Sequence, residues 1–335
     1  MSRLTVEKIG PEAFHEWDDY VRSNPWGTVF HTTEWLGRIN DRLKVFAGVD
    51  GSGEVRCGVA LVESVKFGVR GYHIPPFTPF FGPLVSSSEK EQRAAARTEE
   101  QDAVASVLRA IPGCAHTDFR LPAGWPDVYP FYRAGFTPFV AYTHVFHSSV
   151  SEYHANMAKR QRSYLRGMKG HVDKGEVRVN STANAETVFS LWERLAREKG
   201  VRSNVSTLRR LTINWGRESP WSVMAVERAD GEPLAGVMLV NDERRVVNLV
   251  NASSAGLSKR FSRANLLCLD AAVRKTLNEG KIFDLEGSML HGVERFYRML
   301  GAHLVPAFRV QKSRSFRYSV LRSIAQFRRE RISLV

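Results

Sequence analysis

The sequence has few cysteines and no long apolar stretch. Its three cysteines lie far apart, at Cys57, Cys114 and Cys268, with no Cys-x-x-Cys pair or Cys/His cluster. We therefore expect neither a disulfide framework nor a metal site. No apolar run approaches the roughly 20 residues that a membrane-spanning helix needs, and the N-terminal residues lack the apolar core of a signal peptide. These absences predict a cytoplasmic protein.

Several catalytic and nucleotide-binding motifs are also missing. No Gly-x-Gly-x-x-Gly follows a predicted strand and no Gly-Lys-Ser/Thr loop occurs, which argues against dinucleotide and P-loop chemistry. No Ser or Cys nucleophile is placed with His31, so hydrolysis by a catalytic triad has no support. The composition, 43% apolar and 25% charged over 335 residues, is that of an ordinary globular protein of about two domains.

The net charge of +13 is concentrated in two segments. Lys159–Lys174 carries +5 and Arg309–Arg331 carries +7, so the rest of the chain is nearly neutral. Such an excess indicates an anionic partner, which can be a nucleic acid, an anionic lipid or a phosphorylated substrate. Its local placement favours a phosphate-binding site and a membrane or partner contact over a general nucleic-acid surface.

The predicted elements follow the same order twice along the chain. A strand and helices come first, then antiparallel strands, then a helix and a final strand. This order predicts an α/β (α+β) protein with mixed, mostly antiparallel sheets flanked by helices. We expect one domain over residues 1–150, a second over 151–312, and a basic amphipathic tail over 313–335.

The order and spacing of four segments indicate a relationship to known proteins. These segments are Phe30–Leu36 (FHTTEWL), Lys159–Lys174 (KRQRSYLRGMKGHVDK), the hairpin and strand Trp221–Ala252, and Phe283–Ala302 (FDLEGSMLHGVERFYRMLGA). Together they resemble the FemAB-like (FemABX) proteins of the GNAT superfamily. The resemblance covers nearly the whole chain and implies two tandem GNAT-like domains.

The resemblance also implies an acyltransferase. Family members move an acyl group from a CoA thioester, or an aminoacyl group from aminoacyl-tRNA, to an amine of a peptidoglycan precursor or a related envelope or polysaccharide substrate. The donor would be a co-substrate, and no permanently bound cofactor is expected. Two departures leave the donor open: no heptad stretch forms the coiled-coil arm of bridge-building members, and Ser262 stands where a phosphate loop would carry glycine.

A basic loop precedes a predicted helix at the position of the GNAT phosphate loop. Lys259, Arg260, Ser262 and Arg263 are the candidate donor-binding residues. A helix N-terminus favours an anion, and arginines add charge-assisted hydrogen bonds to phosphate. The alternative is a solvated basic loop in which Ser262 caps the helix.

Carboxylates on the strand Ile282–Glu286 are candidates for the catalytic base. Asp284 and Glu286 share one face of this strand. Acyl transfer to an amine needs a proton acceptor, and Glu286 at the end of the strand is the better placed. The alternative is a carboxylate that is satisfied by a neighbouring arginine.

The next helix supplies the other candidate catalytic residues. By resemblance this helix contacts substrate, so Arg298 or Arg295 is expected to offset the charge of a tetrahedral intermediate. Tyr297 is expected to protonate the leaving group. The alternative places Phe296 and Tyr297 in the core.

Candidate acceptor-binding residues lie on the basic helix and in the N-terminal signature. Lys159, Arg162 and Arg166 recur at helical spacing and suit the phosphates of a nucleotide-sugar, a lipid-linked precursor or tRNA. Trp35 is assigned to substrate binding as part of the signature.

The C-terminal tail and the overall role leave alternatives open. The tail repeats apolar residues at Val320, Ile324 and Phe327 among arginines. It can lie on the inner face of an anionic membrane, where lipid-linked precursors reside, or dock on the domain core. The rival to an enzyme is a non-catalytic protein of the same fold that holds an anionic envelope precursor or RNA.

Overall fold

The structure is a computed structural model that describes residues 4–66, 68–88, 90–198, 200, 204–215, 219–254, 257–287 and 291–321. Its helices include α1 (Phe14–Ser23), α2 (Thr33–Ile39), α3 (Arg93–Ala110), α4 (Tyr129–Arg133), α5 (Val150–Asn156), α6 (Lys159–Asp173), α7 (Ala185–Glu198), α8 (Val205–Thr212), α9 (Ala264–Asn278) and α10 (His291–Met299). Its strands are β1 (Val6–Ile9), β2 (Leu43–Val49), β3 (Val55–Lys66), β4 (Val69–Tyr72), β5 (Leu84–Val85), β6 (His116–Arg120), β7 (Thr137–Phe146), β8 (Val177–Asn180), β9 (Trp221–Arg228), β10 (Pro233–Asn241), β11 (Arg245–Ser253), β12 (Ile282–Asp284) and β13 (His303–Ser313).

The chain forms two compact units. The first comprises Met1–Tyr142 and Pro306–Val335, and the second comprises Thr143–Val305. In the first unit the strands lie in the order β1-β2-β3-β4-β6-β13, with β5 paired to β3. Within that order only β4 and β6 pair in parallel, and α3 connects them. The interior is strongly aromatic, with fully buried side chains at Trp17, Phe30, Trp35, Phe81, Phe119 and Phe131.

The second unit repeats this arrangement. Its strands lie in the order β7-β12-β11-β10-β9-β8, and only β11 and β12 pair in parallel, connected by α9. Antiparallel strands followed by a helix and a parallel strand thus occur in both units. The predicted fold class of mixed, mostly antiparallel sheets flanked by helices is confirmed.

Each unit takes its closing strand from the other half of the sequence. Arg309–Ser313 of β13 pairs antiparallel with β6, which puts the C-terminal strand in the first unit. Val145 and Phe146 at the end of β7 pair antiparallel with β12 in the second unit. The division therefore differs from boundaries at 150 and 312, because local hydrophobic alternation predicts a strand without predicting which strand it pairs with.

Helix α9 forms the centre of the second unit's core. Nine of its residues are buried, among them Leu266, Leu267 and Leu269, and burial of each such leucine contributes about 1.5–3 kcal/mol. On the other face of the sheet α7 lies against β10. A Cβ added at Gly236 would come within 2.7 Å of Val188 Cγ2, so this approach requires glycine.

The first turn of the C-terminal tail packs into the first unit. Tyr318 is buried, with its ring centroid 4.2 Å from that of His116 and its hydroxyl 3.2 Å from His73 Nδ1. Residues 322–335, which carry most of the predicted amphipathic tail, lie outside the described residues. Among the described helices, none combines the length and apolar character that spanning a membrane requires. The described residues also contain no group of three or more His, Cys, Asp or Glu side chains suited to a metal ion.

Candidate active site in the second unit

The sheet of the second unit opens between its two parallel strands. β12 pairs with β11 only along Ile282–Asp284, opposite Arg245–Val247. β11 continues to Ser253 and keeps its pairing with β10, so the stretch 248–253 has no β12 partner within the described part of the chain. Openings at the carboxyl ends of parallel strands are common ligand sites. We call this opening the β11/β12 fissure.

Asn248 begins the unpaired part of β11. It lies opposite Leu239 on β10 and is buried. Its side-chain Oδ1 has no hydrogen-bond partner in the part of the chain that the structure describes. A buried amide oxygen without a partner is costly, and such groups are enriched at functional sites. Nothing in the sequence pattern of this apolar strand distinguished Asn248.

The loop before α9 meets α6 through one tyrosine. Arg160 Nε donates a hydrogen bond of 2.6 Å to the Tyr164 hydroxyl. The guanidinium of Arg263 lies 4.4 Å from the centroid of the same ring. The hydrogen bond from Arg160, with the nearby positive charges, lowers the pKa of Tyr164 from its usual value. Residues 99 and 103 positions apart in sequence thus form one cluster, named here the basic–aromatic cluster (Arg160, Tyr164 and Arg263).

The other members of the predicted phosphate loop have different environments. Arg260 forms an ion pair with Glu176, which also contacts His171 Nδ1 at 2.5 Å. The Ser262 hydroxyl donates to the Lys259 carbonyl at 2.9 Å, while Lys259 itself is exposed. Arg263, not Ser262, is the N-cap residue of α9, and no side chain caps this helix. The alternative in which Ser262 caps the helix is therefore wrong.

The basic helix divides into residues with local partners and residues open to solvent. Arg162 donates to the carbonyls of His154 and Ala155, at 3.2 and 2.8 Å, and so satisfies the C-terminal end of α5. Lys159 and Arg166 are exposed on α6. Arg160, on the same helix, contacts Tyr164, and the ring of Tyr164 in turn contacts Arg263 of the loop before α9. The spacing of four between Arg160 and Tyr164 was the available signal.

A fully buried carboxylate fixes the end of β12. Asp284 accepts hydrogen bonds from Thr143 Oγ1 at 2.5 Å and from Arg245 Nη1 at 3.1 Å. Its Oδ1 also accepts the backbone N–H of Glu286 at 2.9 Å. Both carboxylate oxygens of Asp284 therefore accept hydrogen bonds within the protein. The alternative of a carboxylate satisfied by arginine applies to Asp284.

Glu286 follows in a strained conformation. Its φ is +56°, in the left-handed region that residues other than glycine rarely adopt. The hydrogen bond from its N–H to Asp284 holds this turn. Strain of this kind costs about 1–3 kcal/mol and is concentrated at functional sites. The side chain of Glu286 is partly exposed.

A buried histidine and a buried tyrosine lie beside this turn. His144 on β7 and Tyr297 on α10 have ring centroids 5.5 Å apart in an edge-to-face arrangement. The carbonyl of His144 accepts the N–H of Leu285 at 2.9 Å, which places β7 directly against the end of β12. His144 Nδ1 is buried without a hydrogen-bond partner among the described residues.

The environment separates the proton affinities of these two rings. Burial lowers the pKa of His144, although the charges of Glu294 and Asp284 act in the opposite direction. Burial, reinforced by the charges of Glu286 and Asp284, raises the pKa of Tyr297 to about 12. At neutral pH the imidazole is neutral and the phenol is protonated. One ring can therefore accept a proton and the other can donate one.

The remaining predicted site residues have other environments. Arg298 forms an exposed ion pair with Glu294 at 3.1 Å, one helical turn away. Arg295 is exposed. Trp35 lies in the core of the first unit, where it is fully buried and its indole N–H donates to Thr78 Oγ1 at 3.1 Å. A fully buried indole offers no surface to a substrate.

Comparisons with solved structures identify this architecture. FemX matches over 90% of this chain and 96% of its own, with a TM-score of 0.64 and 14% identity. The C-terminal domain of a proposed lysylphosphatidylglycerol synthetase from Agrobacterium fabrum matches over 94% and 96%, with a TM-score of 0.56 and 12% identity. A tandem GNAT protein from the clavulanic acid biosynthesis pathway matches over 92% and 98%, with a TM-score of 0.51 and 10% identity.

These likenesses concern the fold. No protein-family model and no curated protein sequence matches the chain, and the identities to the solved structures are too low to transfer residue roles. The chain has the tandem GNAT-type fold of FemX and its structural neighbours. The FemAB-like resemblance predicted from four sequence segments is confirmed at this level.

Proposed function

We propose that the protein is an acyltransferase whose active site lies in the second unit. It transfers an acyl group from a CoA thioester, or an aminoacyl group from aminoacyl-tRNA, to an amine. The amine nitrogen attacks the donor carbonyl, the new C–N bond forms, and the C–S or C–O bond of the donor breaks. One proton leaves the nitrogen and one reaches the departing thiolate or alkoxide.

The observation that carries the proposal is the paired proton chemistry of His144 and Tyr297. A neutral imidazole accepts the proton of the attacking amine. A phenol with a pKa of about 12 is matched to a departing alkoxide, as in transfer from aminoacyl-tRNA, whereas a departing thiolate, with a pKa of about 8.5, is a much weaker base and needs no such acid. Glu286, whose charge acts on Tyr297, is the alternative base within reach of the same turn. In this proposal the donor carbonyl binds in the fissure beside β12.

The loop before α9 is the proposed donor site. The uncapped N-terminus of α9 and the guanidinium of Arg263 both favour phosphate. Arg263 and Arg160 converge on Tyr164, so the cluster offers two cations and a ring face. Lys259 and Arg166 add exposed positive charge. Such a site suits the phosphates of CoA or the 3′ end of a tRNA.

The proposed acceptor is an amine of a cell-envelope precursor. FemX and the lysylphosphatidylglycerol synthetase domain share the fold, and lysylphosphatidylglycerol is a lipid that carries an aminoacyl group. An anionic or lipid-linked precursor would be met in the cytoplasm at the inner face of the membrane. Arg295, Arg298 and Lys159 are exposed cations available to its phosphates.

Transfer from radiolabelled acetyl-CoA and from charged tRNA to a panel of amines tests the proposal. Tyr297→Phe is expected to lower turnover about 10²- to 10⁴-fold, the usual contribution of a positioned acid. Tyr132→Phe, at an exposed tyrosine of the first unit, is the matched control. If the wild type transfers from neither donor across a broad acceptor panel, the enzyme proposal fails.

One observation favours the rival, a non-catalytic binding protein. Arg260 is already neutralised by Glu176, so part of the phosphate loop is engaged within the protein. The double variant Glu286→Gln/Tyr297→Phe discriminates between the two functions. Full cellular function in this variant would support the binding role, and its loss together with retained ligand binding would support catalysis.

A further inference from the structure

A second basic site lies in the first unit. A cavity of about 640 Å³ is bounded by the C-terminal ends of α3 and α4 and by the end of β13. Among its lining residues are four basic side chains, Arg109, Arg133, Lys312 and Arg314. Asp102 is the single acidic residue of the lining. The cations come from distant parts of the sequence, so the charge pattern of any one segment does not show them together.

Local structure explains part of this charge. Arg109 and Arg133 lie in the last turns of α3 and α4, where the helix dipole favours a cation. Lys312 Nζ donates to the carbonyl of Ala134 at 2.6 Å, at the end of α4. Arg314 lies between β13 and the helical segment that begins at Phe316, on the N-terminal side of that helix, where the helix dipole does not favour a cation. None of the four cations forms an ion pair of 4 Å or less with a carboxylate of the described residues.

Two glycines lie beside these cations. A Cβ on Gly113 would lie 3.1 Å from Arg314 Nη1, and a Cβ on Gly135 would lie 3.6 Å from Lys312 Nζ. Gly135 also has a φ of +83°, which favours glycine. The ammonium of Lys312 lies 5.7 Å from the ring centroid of buried Phe136. The lining of the cavity therefore combines an aromatic ring with several cationic side chains.

The accumulated charge is unfavourable without a counter-ion. Four cations around one cavity repel one another, and one carboxylate offsets only part of this repulsion. Arginine and lysine are the side chains that bind phosphate, arginine with two parallel hydrogen bonds. The volume lies within the range of about 300–1,000 Å³ typical of small-ligand sites.

We propose that this cavity binds a phosphorylated ligand, either a soluble polyphosphate or the headgroup of a phospholipid. The shared chemistry is a phosphate group held between Arg133, Lys312 and Arg314, with the rest of the ligand over Phe136. The site is separate from the proposed donor loop of the second unit and does not depend on the proposed reaction.

Calorimetric titration of the full chain with inorganic pyrophosphate tests this site. Arg133→Gln/Arg314→Gln is expected to weaken pyrophosphate binding at least about tenfold, because two charge-assisted contacts are lost. Arg70→Gln/Arg93→Gln removes the same charge from exposed positions of the first unit outside the cavity and should leave binding unchanged. Arg133→Lys/Arg314→Lys, which keeps the charge, should bind with intermediate affinity.

The donor loop needs its own control, since it can also bind pyrophosphate. Arg260→Gln/Arg263→Gln should leave the cavity site intact. If this variant abolishes all pyrophosphate binding, or if the cavity variant binds as the wild type does, the proposal is overturned. Loss of transferase activity in the donor-loop variant bears only on the proposed function.

Flotation with vesicles distinguishes the two ligand sources. Binding to phosphatidylcholine vesicles containing phosphatidylglycerol, lost in the Arg133→Gln/Arg314→Gln variant, identifies a lipid headgroup. Pyrophosphate binding that depends on the cavity, without such vesicle binding, identifies a soluble ligand. Absence of both in the wild type at low salt contradicts the proposal.

Discussion

The phenol of Tyr297 lies edge-on to the imidazole of His144, with ring centroids 5.5 Å apart. The two residues are 153 positions apart in sequence, and β7 brings His144 to the end of β12 through its carbonyl. Burial drives the proton affinity of the imidazole down and that of the phenol up. A pair of groups whose proton affinities are driven apart in this way defines an acid and a base.

The tyrosine gives the first prediction. Tyr297→Phe removes the donated proton but keeps the ring that packs in the core. We expect turnover to fall about 10²- to 10⁴-fold with a small change in unfolding free energy, about 1 kcal/mol or less. Single-turnover kinetics and urea unfolding of the same preparation measure both. A large loss of stability with unchanged turnover would make Tyr297 a core residue only.

The histidine gives a prediction about pH. Because burial lowers the pKa of His144 below its ordinary value of 6.5, its basic form persists as the pH falls to and below 6.5. The rate should therefore be insensitive to His144 above pH 6.5 and should decline only in more acid solution. His144→Gln should abolish this dependence and most of the rate, whereas His147→Gln, at an exposed position, should preserve both. If the dependence of the rate on pH is the same in His144→Gln as in the wild type, Glu286 and not His144 is the base.

Substitution of the buried carboxylate of Asp284 is expected to lower the free energy of unfolding. Asp284→Asn removes the charge that pairs with Arg245 and weakens the hydrogen bonds to Thr143 and to the turn at Glu286. Breaking a buried pair on one side costs about 3–5 kcal/mol. Urea unfolding should show this loss, compared with Asp230→Asn on an exposed hairpin turn as control. A change below about 1 kcal/mol would contradict the anchoring role of Asp284.

Two buried histidines of the first unit predict sensitivity to acid. Burial lowers the pKa of His31 to about 3 and that of His73 to about 4, from 6.5 when unfolded. As the pH falls below 6.5 the unfolded chain binds protons that the folded chain does not, so the free energy of unfolding decreases. This decrease continues to about pH 4 for His73 and to about pH 3 for His31.

Urea unfolding between pH 7.5 and pH 4 measures this dependence. His73→Gln should flatten the curve, since the variant has one fewer group that is neutral when folded. His147→Gln should retain the slope of the wild type, because that residue is exposed. A slope that is unaffected by His73→Gln would show that other groups govern acid unfolding.

The fold was largely predictable from sequence, because each element has its own local pattern. The repeated order of strands and helices and the turn at Asp230–Gly231 are local features. Strand pairing is not local, and this is why the assignment of β13 to the first unit did not follow from the pattern. The same limit applies to Arg160 and Arg263, whose meeting on Tyr164 depends on how α6 packs against α9.

The site was predictable in part. The strand that ends at Asp284 and the helix that carries Tyr297 follow each other closely, so their proximity could be inferred. His144 comes from the end of a distant strand, and Asn248 lies in an apolar one, so neither carries a signal of its own. Trp35 belongs to a recognisable segment, but an aromatic residue in a recurring segment serves the core as readily as a substrate.

The pairing of β13 with β6 also sets an order of events during synthesis. Arg309 contacts Asp118 across 191 positions, so β6 emerges from the ribosome long before its partner strand exists. At about 5–20 residues per second this interval is roughly 10–40 s. The nascent first half therefore lacks the partner strand of β6 until β13 has been translated.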